Sequence, residues 1–156
     1  MIITVDETSL PQAAVVHSIS WKESHRAFCS PEFTEMHSPQ RQEDYLRHKM
    51  AGGGRLYALV EGEIIGIVSV TGSLIEDLYV LPDRQNMGYG TKLLRHAMAQ
   101  CDGVPTLWIL ENNQQAARLY RRMGFRETGR RHSITDGLDE IEFALNAGPF
   151  CDILSG

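Results

Sequence analysis

A mixed α/β (α+β) fold, with a mostly antiparallel central sheet flanked by helices, is predicted by three features of this 156-residue sequence. First, β-rich runs at Leu56–Val60 and Ile64–Val70 are separated only by Glu61-Gly62-Glu63, a hairpin signal. Second, a third run at Ile75–Leu81 leads through a glycine-bearing turn and an amphipathic stretch to a fourth run at Thr106–Leu110, the pattern of a βαβ crossover. Third, 42% of the residues are hydrophobic, which suffices for a packed core and is too high for a disordered chain.

The elements follow in order. Met1–Val5 reads as a short strand. Pro11 to about Phe28 reads as a helix carried by a weak stripe, with Val15 and Ile19 four apart. Pro31 and Pro39 bracket a connector. Gln40–Met50 is helical: Leu46 and Met50 share a face, Glu43 and Arg47 form a favourable i,i+4 pair, and Gly52-Gly53-Gly54 breaks the helix. After the third β run, ended by Pro82, Gly88–Cys101 forms a helix with Leu93, Leu94, Ala97, Met98 and Cys101 on one side. Asn113–Met123 is the next, with Ala116, Leu119, Tyr120 and Met123 on one face. Gly124 stands where the residue past a helix end takes positive φ, and Phe125 folds back as the apolar contact after it. Strands near Arg126–Ser133 and Glu140–Leu145 close the order β-α-α-β-β-β-α-β-α-β-β, expected as one domain over 1–156.

Composition narrows the function classes. Three cysteines, Cys29, Cys101 and Cys151, are too few and too odd a number for a disulfide scaffold, and point to reduced thiols in a cytoplasmic protein. Met1–Val16 has no Lys or Arg and no long apolar core, so no signal peptide is expected. The longest apolar run, Ile64-Ile65-Gly66-Ile67-Val68, falls far short of the ~20 residues of a membrane span. The net charge of −5 argues against nucleic acid as a partner. Charge is uneven, however: Arg118, Arg121, Arg122, Arg126, Arg130 and Arg131 stand against Glu127 alone between Asn113 and Arg131. A solvated helix face and an anion-binding rim both fit that segment.

The turn Leu81-Pro82-Asp83-Arg84-Gln85-Asn86-Met87-Gly88-Tyr89-Gly90-Thr91 carries the chemistry. A strand enters it and a helix leaves it. The first N–H groups of a helix have no internal partner, and the helix dipole adds partial positive charge there. Gly88 and Gly90 present no side chain, so a pyrophosphate can reach the backbone. A P-loop run is absent, and Gly88-Tyr89-Gly90 lacks the third glycine of a dinucleotide fingerprint, which disfavours nucleoside triphosphates and NAD. No nucleophile elbow, paired-histidine zinc motif or Cys-x-x-Cys occurs. His25 and Cys29 stand at i,i+4 with no further metal ligand nearby in sequence, so no metal is expected.

Gln85-x-x-Gly88-x-Gly90 resembles the acetyl-CoA pyrophosphate motif of the GCN5-related N-acetyltransferases, and Ile75–Pro82 resembles that family's preceding strand. A second block, Asn113 to Phe125, is similar to the family's Asn-x-x-Ala-x-x-x-Tyr-x-x-x-Gly-Phe signature at every fixed position. The likeness runs from about Leu56 to Leu145 and is loose before that.

The resemblance implies acetyl-CoA as co-substrate and a primary amine, on a small molecule or a peptide, as acceptor. Leu78, Tyr79 and Val80 would line the pantetheine arm and thioester, with the Leu78 N–H as oxyanion donor. Gln85, Asn86, Met87, Gly88, Tyr89, Gly90 and Thr91 would hold the pyrophosphate, helped by Arg84, Arg118, Arg121 and Arg122 at the outer phosphates. Asn113 would contact the cofactor arm, or serve as an ordinary N-cap, or both. Tyr120 would protonate the departing thiolate; a core position is its other reading.

The general base stays open. Glu76 alternates with Leu74 and Leu78 and so shares their face, while Asp77 faces the other way; Glu111 would act through water. Positions where several relatives carry a base correspond here to Leu74 and Trp108, which take no proton. Trp21, His25, Phe28, Phe33 and Tyr45 are candidates to line the acceptor pocket, with core packing or plain surface as the competing reading. Within the enzyme class, protein N-terminal acetyltransfer of the ribosomal-protein type is one alternative; a non-catalytic acyl-CoA-binding module is another. The apolar tail Pro149–Leu154 suggests packing against another surface, a second copy of the chain being one candidate.

Overall fold

The computed structural model describes residues 1–27, 29–135 and 137–145. The chain forms two compact units, Met1–Cys101 and Asp102–Gly156. The tail 146–156, with Cys151, and the pocket candidate Phe28 lie outside the described residues.

In the first unit the elements are β1 (Ile2–Thr4), α1 (Leu10–His25), α2 (Pro31–Glu35), α3 (Pro39–Ala51), β2 (Arg55–Glu61), β3 (Glu63–Thr71), β4 (Leu74–Val80), a 3-10 turn (Pro82–Arg84) and α4 (Tyr89–Gln100). The strands pair antiparallel in the order β1-β2-β3-β4. β3 is buried over the whole stretch from Ile64 to Val70, so helices cover it on both sides. On one side Leu10, Ala13, Ala14 and Val16 of α1 and Leu46 of α3 pack with Leu56, Ala58, Ile64 and Ile67. On the other, α4 buries Leu93, Leu94 and Ala97, and its His96 meets the Tyr57 ring edge-on at 4.6 Å.

Two expectations need correction here. The connector between Pro31 and Pro39 contains α2: Ser30 accepts a hydrogen bond from the Phe33 amide, and Pro31 sits in the first turn, where its missing N–H costs nothing. In α1 the Val15–Ile19 stripe faces solvent. The buried face runs through Leu10, Ala13, Ala14 and His17, so small residues and a histidine face the sheet.

The second unit holds β5 (Thr106–Leu110), α5 (Gln114–Arg122), β6 (Phe125–Thr135) and β7 (Leu138–Leu145). Its strands pair antiparallel in the order β5-β7-β6. Among its described residues the buried hydrophobics are Leu107, Ile109, Ala117, Tyr120, Phe125 and Phe143. Gly124 takes φ 100° just past α5, which turns the chain so that Phe125 is fully buried. No helix among the described residues is long and apolar enough to cross a membrane.

Candidate functional site

The entrance to α4 is built by local sequence. Gln85 anchors the turn by donating its side-chain N–H to the Val80 carbonyl at 3.1 Å. Asn86 at φ 63° and Gly88 at φ 87° then swing the chain into the helix. Gly88 is the N-cap and supplies no side chain to the first-turn amides, and no acidic residue stands in that turn. The first internal bond closes only from Lys92 N to Gly88 O, at 3.1 Å. A Cβ on Gly88 would meet nothing within 4 Å, and one on Gly90 only Val80 Cγ2 at 4.0 Å. Met87 is exposed, and Tyr89 carries Lys92 Nζ 5.9 Å from its ring centre. An open, uncapped helix mouth with no competing carboxylate is chemically suited to an anion.

β4, which leads into this turn, is not regular. Ile67 pairs with Tyr79 and Ser69 with Glu76, so Asp77 and Leu78 both stand opposite Val68. Asp77 has φ 55°. This is a β-bulge, and it breaks the alternation from which Asp77 was expected to face away from Glu76. Both acids instead meet one cation: Lys49 Nζ of α3 lies 2.5 Å from Asp77 Oδ2 and 2.9 Å from Glu76 Oε1. Glu76 also lines a shallow cleft of about 360 Å³ with Tyr45, His48, Lys49, Thr71 and Leu74.

Asp77 is nearly sealed, with 7% of its side chain exposed. Its carboxylate accepts hydrogen bonds from His17 Nε2 at 2.9 Å, the Tyr45 hydroxyl at 3.1 Å and the Ser69 hydroxyl at 2.7 Å. Gln42 donates its amide N–H to His17 Nδ1 at 2.7 Å, which leaves the ring proton on Nε2 for Asp77. Burial alone pushes the Asp77 carboxyl up, but the His17 hydrogen bond and the Lys49 charge outweigh it and hold the group well below the usual carboxylate range. Burial pulls Lys49 down, yet the Asp77 charge and the hydrogen bonds around it leave it above an ordinary lysine. Burial, then the Asp77 charge, push Tyr45 up to about 12. Sequence reasoning passed over this cluster. The available signal was Glu76-Asp77 in the middle of a β run, where acidic residues are depleted.

In the second unit, Asn113 caps α5, its side chain accepting from the Ala116 amide at 3.1 Å. Tyr120 is buried, with ring centres of Phe125 at 6.0 Å and Phe143 at 6.4 Å. Burial pushes its phenol up to about 12. Arg121 pairs with Glu127 at 2.6 Å, Arg130 with Glu142 at 3.5 Å, and Arg131 with both Glu111 and Asp139. Much of the basic segment is thus engaged in its own unit, and Glu111 is committed to Arg131. Trp108 packs against His132 at 4.6 Å.

The pocket candidates of the first unit separate. Trp21 is stacked between His25 at 4.0 Å and His37 at 3.5 Å, with Phe33 beside it at 6.0 Å. Tyr45 belongs to the Asp77 cluster. His25 Nδ1 is taken up by the Trp21 carbonyl at 2.9 Å. No group of three or more metal-ligating side chains occurs among the described residues.

Residues 52–127 match the model of the acetyltransferase (GNAT) domain. Over 70 residues the chain is 36% identical to peptidyl-lysine N-acetyltransferase YjaB of Salmonella typhimurium, a match covering 45% of this chain and about half (48%) of that relative. The fold is shared with PaiA N-acetyltransferase of Thermoplasma acidophilum, solved with coenzyme A (TM-score 0.69, 18% identity, 94% of this chain and 98% of the other). It is shared also with the ribosomal-protein-S18-alanine N-acetyltransferase of Escherichia coli (TM-score 0.68, 23% identity, 93% and 92%). Residues 52–127 are thus similar to the acetyltransferase (GNAT) domain, and the chain as a whole shares the fold of these acetyltransferases.

Proposed function

We propose that the chain is an acetyl-CoA-dependent N-acetyltransferase that transfers acetyl to a primary amine by direct attack on the thioester in a ternary complex. The observation that carries this reading is the uncapped mouth of α4, where Gly88 and Gly90 leave the first-turn amides open to a pyrophosphate. The CoA complex of a fold neighbour supports the choice of coenzyme, and the name of the YjaB relative favours a peptide lysine as acceptor over a small amine.

In this reading Gln85, Asn86, Met87, Gly88, Tyr89, Gly90 and Thr91 hold the diphosphate, while Leu78, Tyr79 and Val80 run along the pantetheine arm. Attack by the amine puts negative charge on the carbonyl oxygen, which the Leu78 amide stabilises. Collapse of the tetrahedral species breaks the C–S bond, and Tyr120, still protonated at neutral pH because its phenol is pushed up to about 12, donates the proton to the thiolate. Asn113 steadies the cofactor arm while capping α5. Glu76 is the base candidate, since it borders the cleft that would receive the ammonium. The reaction takes place in the cytoplasm.

Calorimetric titration with CoA, followed by a thiol-release assay with acetyl-CoA and a panel of amines and lysine peptides, tests the reading. Affinity for CoA with turnover on at least one acceptor is expected. Affinity without release on any acceptor would make the chain a binding module, and no affinity for CoA would end the proposal.

A further inference from the structure

Asp77 occupies a conformation that the sequence does not need an aspartate to supply. At φ 55° it fills the left-handed position of the bulge, which glycine takes without steric cost. Asp tolerates that region better than most residues but is strained there relative to glycine. What an aspartate adds is the carboxylate, and every part of it is used. His17 comes from α1, Tyr45 and Lys49 from α3, and Ser69 from β3, so three elements converge on one residue of β4. The Lys49 stem is itself confined: a Cβ on Gly54 would lie 2.7 Å from Lys49 Cγ.

The peptide unit that follows Asp77 is the one that carries the Leu78 N–H. Because that unit is planar, its direction is set by the backbone of Asp77. A side chain clamped from three elements holds that backbone against rotation. We propose that Asp77 is a positioning residue for acyl transfer, its buried carboxylate fixing the β4 bulge so that the Leu78 amide points at the thioester oxygen. This inference rests on the acetyltransferase reading above. It assigns Asp77 no proton transfer: its oxygens are filled by donors and it faces Lys49 at 2.5 Å.

The test compares wild type with Asp77→Asn and Asp77→Gly in the full chain. Three measurements are made: CoA affinity by calorimetry, steady-state kinetics (kcat and KM) with acetyl-CoA and a lysine peptide that the wild type acetylates, and the infrared carbonyl stretch of bound, carbonyl-labelled acetyl-CoA. Both variants should keep CoA affinity within about threefold, lose roughly 10–100-fold in kcat, and lose the downshift of the carbonyl stretch, since misaiming one donor acts mainly in the transition state. Asp77→Gly is the informative member, because it keeps the φ and removes only the clamp. Should both variants unfold, Ser69→Ala and His17→Gln remove one donor each, and Lys49→Arg against Lys49→Met tests rescue by charge. Each donor loss should lower kcat and weaken the carbonyl shift, and Lys49→Arg should retain most of both. Unchanged kcat and carbonyl stretch in folded variants would overturn the proposal. So would a parallel fall of kcat, CoA affinity and thermal midpoint, which marks a purely structural residue. A wild type that binds no CoA, or that binds it without turnover, sinks the acetyltransferase reading instead.

Discussion

Leu93 of α4 fills the space that a side chain on Gly66 of β3 would need: a Cβ there would stand 2.8 Å from Leu93 Cδ1 and 3.1 Å from the Tyr79 carbonyl. Absence of a side chain at this one position lets α4 lie close on the sheet, and Leu93 stands about one turn into the helix from the mouth at Gly88. Gly66→Ala should therefore destabilise the chain by roughly 1–3 kcal/mol, the usual cost of overpacking. Urea unfolding reads the loss. CoA titration on the folded fraction should show weaker binding as the helix is displaced; unchanged stability would mean that Leu93 simply rotates away.

Gly88 and Gly90 make a paired prediction. Gly88 has φ 87°, so Gly88→Ala strains the N-cap by about 1–2 kcal/mol and re-aims the first-turn amides. CoA affinity should fall at least about tenfold. Gly90 lies inside α4 with open space around its Cβ direction. Gly90→Ala should hold or raise stability by about 0.5–1 kcal/mol, as alanine does in a helix, and should weaken CoA binding less than Gly88→Ala does, since it adds one methyl beside the first-turn amides without changing their direction. Equal losses for the two variants would show that the glycines serve bulk clearance rather than backbone direction.

Tyr120→Phe separates packing from chemistry. The ring sits against Phe125 and Phe143, and phenylalanine keeps that contact, so the thermal midpoint should barely move. Turnover should fall by about 10²-fold or more, the range for loss of a general acid. The raised phenol also sets a sign. The folded chain holds this proton more tightly than the unfolded chain, so the stabilisation is complete below pH 10 and is lost as pH rises toward 12. Tyr45, likewise pushed up to about 12, adds to the same alkaline loss. Turnover of the Phe variant equal to wild type would remove Tyr120 as the acid.

The stack of His25, Trp21 and His37 predicts a change on mild acidification. Burial lowers both imidazoles below their ordinary 6.5. A lowered histidine favours the folded state while neutral, so stability is complete above pH 6.5 and declines as pH falls through the folded-state values. Thermal midpoints between pH 7.5 and 5 should drop, with a shift in tryptophan emission, and the drop should shrink in His25→Gln and His37→Gln. A pH-independent midpoint over that range would show that neither ring titrates differently on unfolding.

Much of the fold was readable because its signals are local. The strand Thr106–Leu110 has the predicted bounds, and the hairpin through Glu61-Gly62-Glu63 lies where its turn residues put it. The features of the α4 mouth, the Asn113 cap and the Gly124 turn all lie within a few residues of the groups they serve. The helix at Pro31–Glu35 had a local signal too, Ser30 ahead of Pro31, but five residues present no periodicity by which to weigh it. The outward face of α1 was misread because its inward face is built of Ala13, Ala14 and His17, whose burial depends on the sheet they meet.

What the sequence alone determined is the likeness to the GNAT domain, the succession of strands and longer helices and the phosphate-suited turn, since each depends on neighbours along the chain. What only the tertiary structure decided is the environment of Asp77. His17 and Asp77 are sixty residues apart in sequence, and they meet because α1 packs on β4 across the core. One extra residue in a strand reverses the side to which everything before it points, and no pattern of residue types announces it. The charge state and partners of a buried carboxylate are set by whatever folding brings within 3 Å of it, and that is a property of packing rather than of order along the chain.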